Sequence, residues 1–247
     1  DFRIFRNELG NLSSLSINSI HKIFEDDEGK LWIGTYTGLN VFDPDTERFT
    51  RFLHDPKIAT SISNNNIKDI TQDRFGNMWV ATENGLNKFH KNEKIFTRYY
   101  FKVDDNPDPL LSNNLNAIFI DTNDNMWVGG HYGLFILNLE TGAYQDFTVQ
   151  STDGELTSNF INAIIQSKDG LLWIGAHHGL CSIKPNPFGK YKVTKYLHDA
   201  NNPNSLNSNI VTALLEDSYG AMWIGTMGGG LSSVSYTHLR AHETHID

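Results

Sequence analysis

The chain is poor in cysteine, in long apolar runs and in basic residues. Its single cysteine, Cys181, rules out a disulfide framework and leaves the redox compartment open. Next to a Gly-Leu pair on an expected strand, Cys181 reads as a packed core thiol. No apolar stretch reaches the roughly 18 residues of a membrane-spanning helix, and no run keeps a helical period over about ten residues. Lysine and arginine number 20 against 29 acids, a formal charge of −9. That balance argues against general nucleic-acid binding, which needs a basic face. No signal peptide is visible, but the chain opens on Asp1 and not on Met, which is expected of a truncated N-terminus and leaves targeting open.

What the chain does have is a repeat. Trp32, Trp79, Trp127, Trp173 and Trp223 are spaced by 47, 48, 46 and 50 residues, in the phrases LWIGT, MWVAT, MWVGG, LWIGA and MWIGT. Gly-Leu follows each at Gly38, Gly85, Gly133, Gly179 and Gly230. An asparagine opens each unit at Asn18, Asn65, Asn113, Asn159 and Asn209, and Asp26, Asp73, Asp121, Ser167 and Asp217 stand at one further phase. Three residues before each Trp comes Gly29, Gly76, Asp124, Gly170 or Gly220. The Asp-x-x-Gly phrase marks a tight turn in which Gly supplies positive φ. Asp124 can replace Gly because Asp tolerates the left-handed region. Between turns, short runs rich in Val, Ile and aromatics suit half-buried strands. In the first repeat they are expected near 20–25, 31–35, 39–42 and 49–52.

A four-stranded antiparallel unit of this length, repeated five times, predicts an all-β β-propeller, one array over residues 1–234. A blade cannot bury both faces alone, so each Trp is expected as a wedge against the neighbouring blade. Gly34, Ala81, Gly129, Gly175 and Gly225, two residues past each Trp, are expected to admit a neighbouring backbone. Residues 2–5 read as an outer strand. Paired with the third strand near Val234 it would close a five-bladed ring. The alternative, and the one favoured, is an incomplete arc of a seven-bladed ring, which at this period needs about 340 residues.

The repeat stops at Val234. Val234 to Thr244, VSYTHLRAHET, resembles the translation of a transposase-adapter sequence used in DNA library preparation, so residues 235–247 are read as a non-native tail. This disarms a metal-like cluster, His238, His242, Glu243 and His245, whose His-Glu-Thr-His falls one residue short of the zinc-protease phrase. No metal site and no cofactor is expected.

The phrase Asn-x-(Ile/Val)…Asp-x-x-Gly-x-(Leu/Met)-Trp-(Ile/Val)-Gly-Thr-x-x-Gly-Leu, carried almost whole from Asn18 to Leu39, is similar to the two-component-regulator propeller repeat. That resemblance implies the sensor region of a membrane-anchored hybrid histidine kinase. It implies a periplasmic location, homodimerisation in the full-length protein, and detection of oligosaccharides to control glycan-use genes. The later domains of such proteins, the kinase included, lie outside this chain, so no enzymatic activity is expected of it. A carbohydrate-active propeller, lyase or glycoside hydrolase, and a protein-binding scaffold are the alternatives.

Ligand contacts are expected where the repeats differ. The turn between second and third strands reads Tyr36-Thr37, Glu83-Asn84, His131-Tyr132, His177-His178 and Met227-Gly228. Loops carried by a rigid scaffold are where binding resides. Tyr36, Glu83, His131, Tyr132, His177, His178 and Met227 are therefore the candidate ligand-binding residues. One of His177 and His178 is expected to face the mouth and the other to pack or meet solvent. The recurrent Asp residues are read as turn chemistry, and no catalytic residue is assigned. No membrane contact by this segment is expected.

Overall fold

A computed structural model describes residues 2–102, 109–185 and 191–235. The first repeat forms β1 (Ile20–Glu25), β2 (Leu31–Thr35), β3 (Gly38–Asp43) and β4 (Arg48–Phe52). The second forms β5 (Ile67–Gln72), β6 (Met78–Thr82), β7 (Gly85–His90) and β8 (Ile95–Tyr99). After a one-turn helix, α1 (Pro109–Asn113), come β9 (Leu115–Ile120), β10 (Asn125–Gly130), β11 (Gly133–Asn138) and β12 (Tyr144–Phe147). The fourth repeat gives β13 (Ile161–Gln166), β14 (Leu172–Ala176), β15 (Gly179–Pro185) and β16 (Tyr191–Tyr196). The last gives β17 (Val211–Glu216), β18 (Ala221–Thr226) and β19 (Gly230–Ser235).

Each repeat is one antiparallel meander. Among the described residues four sheets have four strands, the last has three, and none closes into a ring. The expected strands of the first repeat match to within a residue. The tight turns behave as read: Gly29, Gly76, Gly170 and Gly220 have φ between 77° and 87°, and Asp124 takes the same region at 61°.

The chain divides into two compact units, 1–120 and 121–247. In the first, Trp32 lies in one core with Ile62, Ile67, Met78 and Phe89 of the following repeat. In the second, Trp173 lies in one core with Leu206, Val211, Met222 and Ile224. The tryptophan is thus a wedge between successive sheets in each unit. At about 25 cal/mol per Å² over roughly 150–250 Å², each stabilises by several kcal/mol as an upper bound.

The small residue after the Trp admits a side chain, not the backbone expected. A Cβ on Gly34 would meet Ile67 at 2.7 Å, on Gly129 Ile161 at 2.5 Å, and on Gly175 Val211 at 2.6 Å. These partners are the leading strand residues of the next sheet, all fully buried.

Residues 2–5 form no strand, which corrects the outer-strand reading. Phe5 instead packs on Phe42 and Phe49, with ring centroids 4.8 and 5.9 Å away. The tail histidines and Glu243 lie outside the described residues, while β19 runs to Ser235, one residue past the expected end of the repeat.

Candidate functional site

The turns that carry the candidate residues are fixed by main-chain bonds to the linking loops. In the first unit the Gly38 amide donates to the Asn65 carbonyl (2.8 Å) and the Glu83 amide to the Asn66 carbonyl (3.1 Å). In the second unit Gly133 donates to Asn159 (2.6 Å) and His177 to Phe160 (3.0 Å). Gly179 then donates to Asn209 (2.7 Å) and Met227 to Ile210 (2.8 Å). Two consecutive carbonyls of one loop therefore staple the turns of two consecutive sheets. Gly is required at the turn's end: Gly38, Gly85, Gly133 and Gly179 have φ from 105° to 128°.

The recurrent asparagine has its own task. Its side-chain oxygen accepts the main-chain N–H at the start of the linking loop: Asn65 from His54, Asn159 from Val149 and Asn209 from His198, each at 2.7 Å. Each loop is pinched shut at its base. Inside two of these loops His54 and His198 donate from Nδ1 to the carbonyls of Ile62 (2.8 Å) and Leu206 (2.6 Å), bracing the loop from within.

On this frame the seven candidates separate. Tyr36 is exposed and meets His21 edge-on, with ring centroids 3.4 Å apart. His21 is the extra residue of a β-bulge at the start of β1. Glu83, His178 and Met227 are exposed, while His131, Tyr132 and His177 are half-buried. The structure brings two candidates together through a residue the sequence reading missed. The Phe160 ring lies between His131 (4.1 Å, 33°) and His177 (3.8 Å, 19°). The signal was present, since Phe160 is the sole aromatic directly after a repeat asparagine; the others are Ser19, Asn66, Asn114 and Ile210. Burial holds the His177 imidazole below its ordinary range, and the charge of His178 adds to this.

The recurrent acids are fully occupied. Asp26, Asp73, Asp121 and Asp217 each accept an indole N–H from their own Trp, at 2.8, 2.9, 2.9 and 2.8 Å. Their other oxygen takes turn amides, as at Lys30, Asn77, Asn125 and Ala221. Among the described residues no cluster of three or more His, Cys, Asp or Glu could hold a metal ion. Cys181 is buried, as expected of a core thiol. A cavity of about 250 Å³ in the first unit, floored by Trp32, Phe52, Met78 and Phe89, is lined by Asp26 and Lys91 at the opposite strand ends from Tyr36 and Glu83.

A family profile described as two component regulator propeller matches residues 14–37, 61–84, 109–132, 155–178 and 205–228. Each match ends on the second residue of a candidate turn. No curated protein matches the chain. Among solved structures, the extracellular domain of the hybrid two-component system BT3049 from B. thetaiotaomicron is similar. It is 24% identical with a TM-score of 0.74, over 94% of this chain and 29% of that one. That of BT4673 from the same organism is 23% identical, TM-score 0.72, over 87% and 27%. Virginiamycin B lyase from Staphylococcus aureus is 15% identical, TM-score 0.60, over 88% and 70%. The chain thus spans under a third of the two-component domains it matches, and at these identities the likeness is one of fold. The class defined is a repeat propeller domain. Within that class it resembles the extracellular region of two-component regulators.

Proposed function

We propose that this chain is the ligand-sensing part of a membrane-anchored hybrid two-component regulator, held in the periplasm, where it detects oligosaccharides and controls genes for glycan use. The carrying observation is the five in-phase repeat matches, each ending at a turn whose residues vary from sheet to sheet. A constant frame with variable tips is what a binding surface requires. Tyr36, Glu83, His131, Tyr132, His177, His178 and Met227 supply aromatic faces and polar groups suited to sugar rings and hydroxyls. In this proposal the chain binds and does not cleave, and the full-length regulator works as a homodimer with a kinase output. Only Glu83 of the seven is a carboxylate, whereas a glycosidase needs a pair.

The fold likeness to virginiamycin B lyase supports an enzymatic second reading. One experiment separates the two. The chain is titrated calorimetrically with oligosaccharide pools from several polysaccharides, and the bound fraction is recovered and analysed by chromatography. The sensor reading expects saturable binding and recovery of the ligand unchanged. Cleaved or eliminated product would establish the lyase or hydrolase reading instead, and no binding by any pool would remove the oligosaccharide assignment.

A further inference from the structure

We propose that the cavity between the first two sheets is a binding site for a small organic ammonium ion, caged by Trp32, Phe52 and Phe89. The site lies at the opposite strand ends from Tyr36 and Glu83 and does not depend on the sensor reading.

The cage arises because Trp32 is covered differently from its counterparts. In the second sheet Trp79 has two covers. One is the Tyr99 ring of β8, with centroids 5.3 Å apart, and the other is the Lys88 ammonium of β7, 5.3 Å from the indole centroid. In the fourth sheet Tyr196 stacks on Trp173 at 5.5 Å and 30°. The matching positions in the first sheet are Phe52 and Val41. Phe52 turns to Phe89 and Phe96 of the second sheet, at 5.1 and 5.6 Å, and Val41 brings no charge. Beside Trp32 lies the cavity of about 250 Å³. Phe89 meets Trp32 at 71° and Phe52 at 68°, so the three rings form walls and not a stack. A cavity of roughly 150 Å³ accommodates benzene, so a trimethylammonium head group fits here with room to spare.

Charge selects the ligand. Four carboxylates and three ammoniums line the cavity. Glu28 engages two of the cations, Lys30 and Lys91. Asp26, Asp27 and Asp43 take neutral donors instead: the Trp32 indole, the Gln72 side-chain amide, and the main-chain amides of Asp45 and Thr46. Such bonds orient the carboxylates and leave their charge uncancelled, and Lys94 is the one further cation on the lining. Lys91 reports the resulting field. Its hydrogen bond to Glu28 holds the ammonium above its ordinary range, and the charges of Asp26 and Asp27 add to this. Aromatic walls beside net negative charge are the chemistry that recognises ammonium ligands, through attraction of the cation to the ring faces. The ligand would do for Trp32 what Lys88 does for Trp79.

The test is calorimetric titration of the full chain with choline and with 3,3-dimethyl-1-butanol, the neutral molecule of the same shape. Choline is expected to bind saturably, and the alcohol about tenfold more weakly or worse, since only the cation gains from rings and carboxylates. Val41→Lys copies the second sheet. It should set an ammonium on Trp32 and abolish choline binding while the chain stays folded. Lys91→Gln removes the resident cation that competes for Glu28, and should tighten choline binding. Asp27→Asn keeps the bond to Gln72 but not the charge, and should weaken it. NMR of the unaltered chain gives a second readout if a variant fails to fold: choline should shift the Trp32 indole N–H resonance. Equal affinity for choline and the alcohol overturns the site, as do choline binding that survives Val41→Lys, an unmoved Trp32 resonance and absence of choline binding. None of these outcomes bears on the oligosaccharide titration, which tests the sensor reading separately.

Discussion

At the scale of single residues, one carboxylate per repeat holds two things that must not separate. Asp121 takes the Asn125 amide on one oxygen and the Trp127 indole on the other, so the turn and the core wedge share an anchor. Where the fourth repeat has Ser167, its hydroxyl still accepts the Trp173 indole at 3.1 Å, and Asp169 takes over an amide of the turn. Trp127→Ala is expected to cost about 3–5 kcal/mol, as for large core aromatics. Asp121→Ala should cost about 1–3 kcal/mol by stranding a buried indole N–H, and His178→Ala should stay within about 0.5 kcal/mol. Denaturant melts of the three variants check the order; equal losses would contradict it. The last repeat adds a pH signature. Bonds from the Trp223 indole and the Ala221 amide hold the Asp217 carboxyl below its ordinary range. Its contribution to stability is present above the unfolded value of about 3.9 and is lost as pH falls through the depressed folded value. Asp217→Asn should therefore reduce the acid sensitivity of the melt. The turn role of these acids was legible in Asp-x-x-Gly. The indole partner was not drawn from the sequence, although the Asp and Trp stand six residues apart in four repeats.

At the scale of elements, strand positions were readable because alternation and turn residues are local. What joins one sheet to the next was less so. Gly129 leaves room for Ile161, which lies in the following repeat. The sequence marks a small residue there but not whether side chain or backbone fills the space. Gly129→Val should overpack this junction and cost about 1–3 kcal/mol, measured by thermal or denaturant unfolding. Unchanged stability would show that the junction can shift. The linking loops looked like ordinary polar segments, because the side chains that shape them, Asn65, His54 and His198, bond to main-chain groups eight to eleven residues away, and those partners carry no residue identity. Asn159 was visible as a repeat mark, yet its hold on the Val149 amide, ten residues earlier, appears only in the fold. Phe160 was overlooked for a related reason: its meaning depends on the two turns on either side of it, and both come from other parts of the chain.

At the scale of the whole molecule, five repeats in phase made the architecture legible, whereas a misassigned strand at residues 2–5 had no repeat context to correct it. The first and last sheets still show apolar side chains that their counterparts bury. Ile20 is 42% exposed, while its equivalents Ile67, Leu115, Ile161 and Val211 are fully buried; on the last sheet Leu231 is 61% exposed where Leu39, Leu86, Leu134 and Leu180 are buried, and Leu215 is 60% exposed where its counterparts are half-buried. Apolar surface of this kind promotes association. The isolated chain is expected to self-associate in light scattering, and Leu215→Lys with Leu231→Lys should suppress it. A monodisperse monomer before substitution would contradict this. The asparagine pinch at the base of each linking loop carries one more implication. Because Asn65 and His54 are clasped together, the ten residues between them form a closed bight whose two feet stay side by side whatever its length. Chain could be added at its crest, between Pro56 and Ser61, without transmitting strain to the turn at Gly38. The repeat is thus a mount on which recognition loops can be exchanged one at a time.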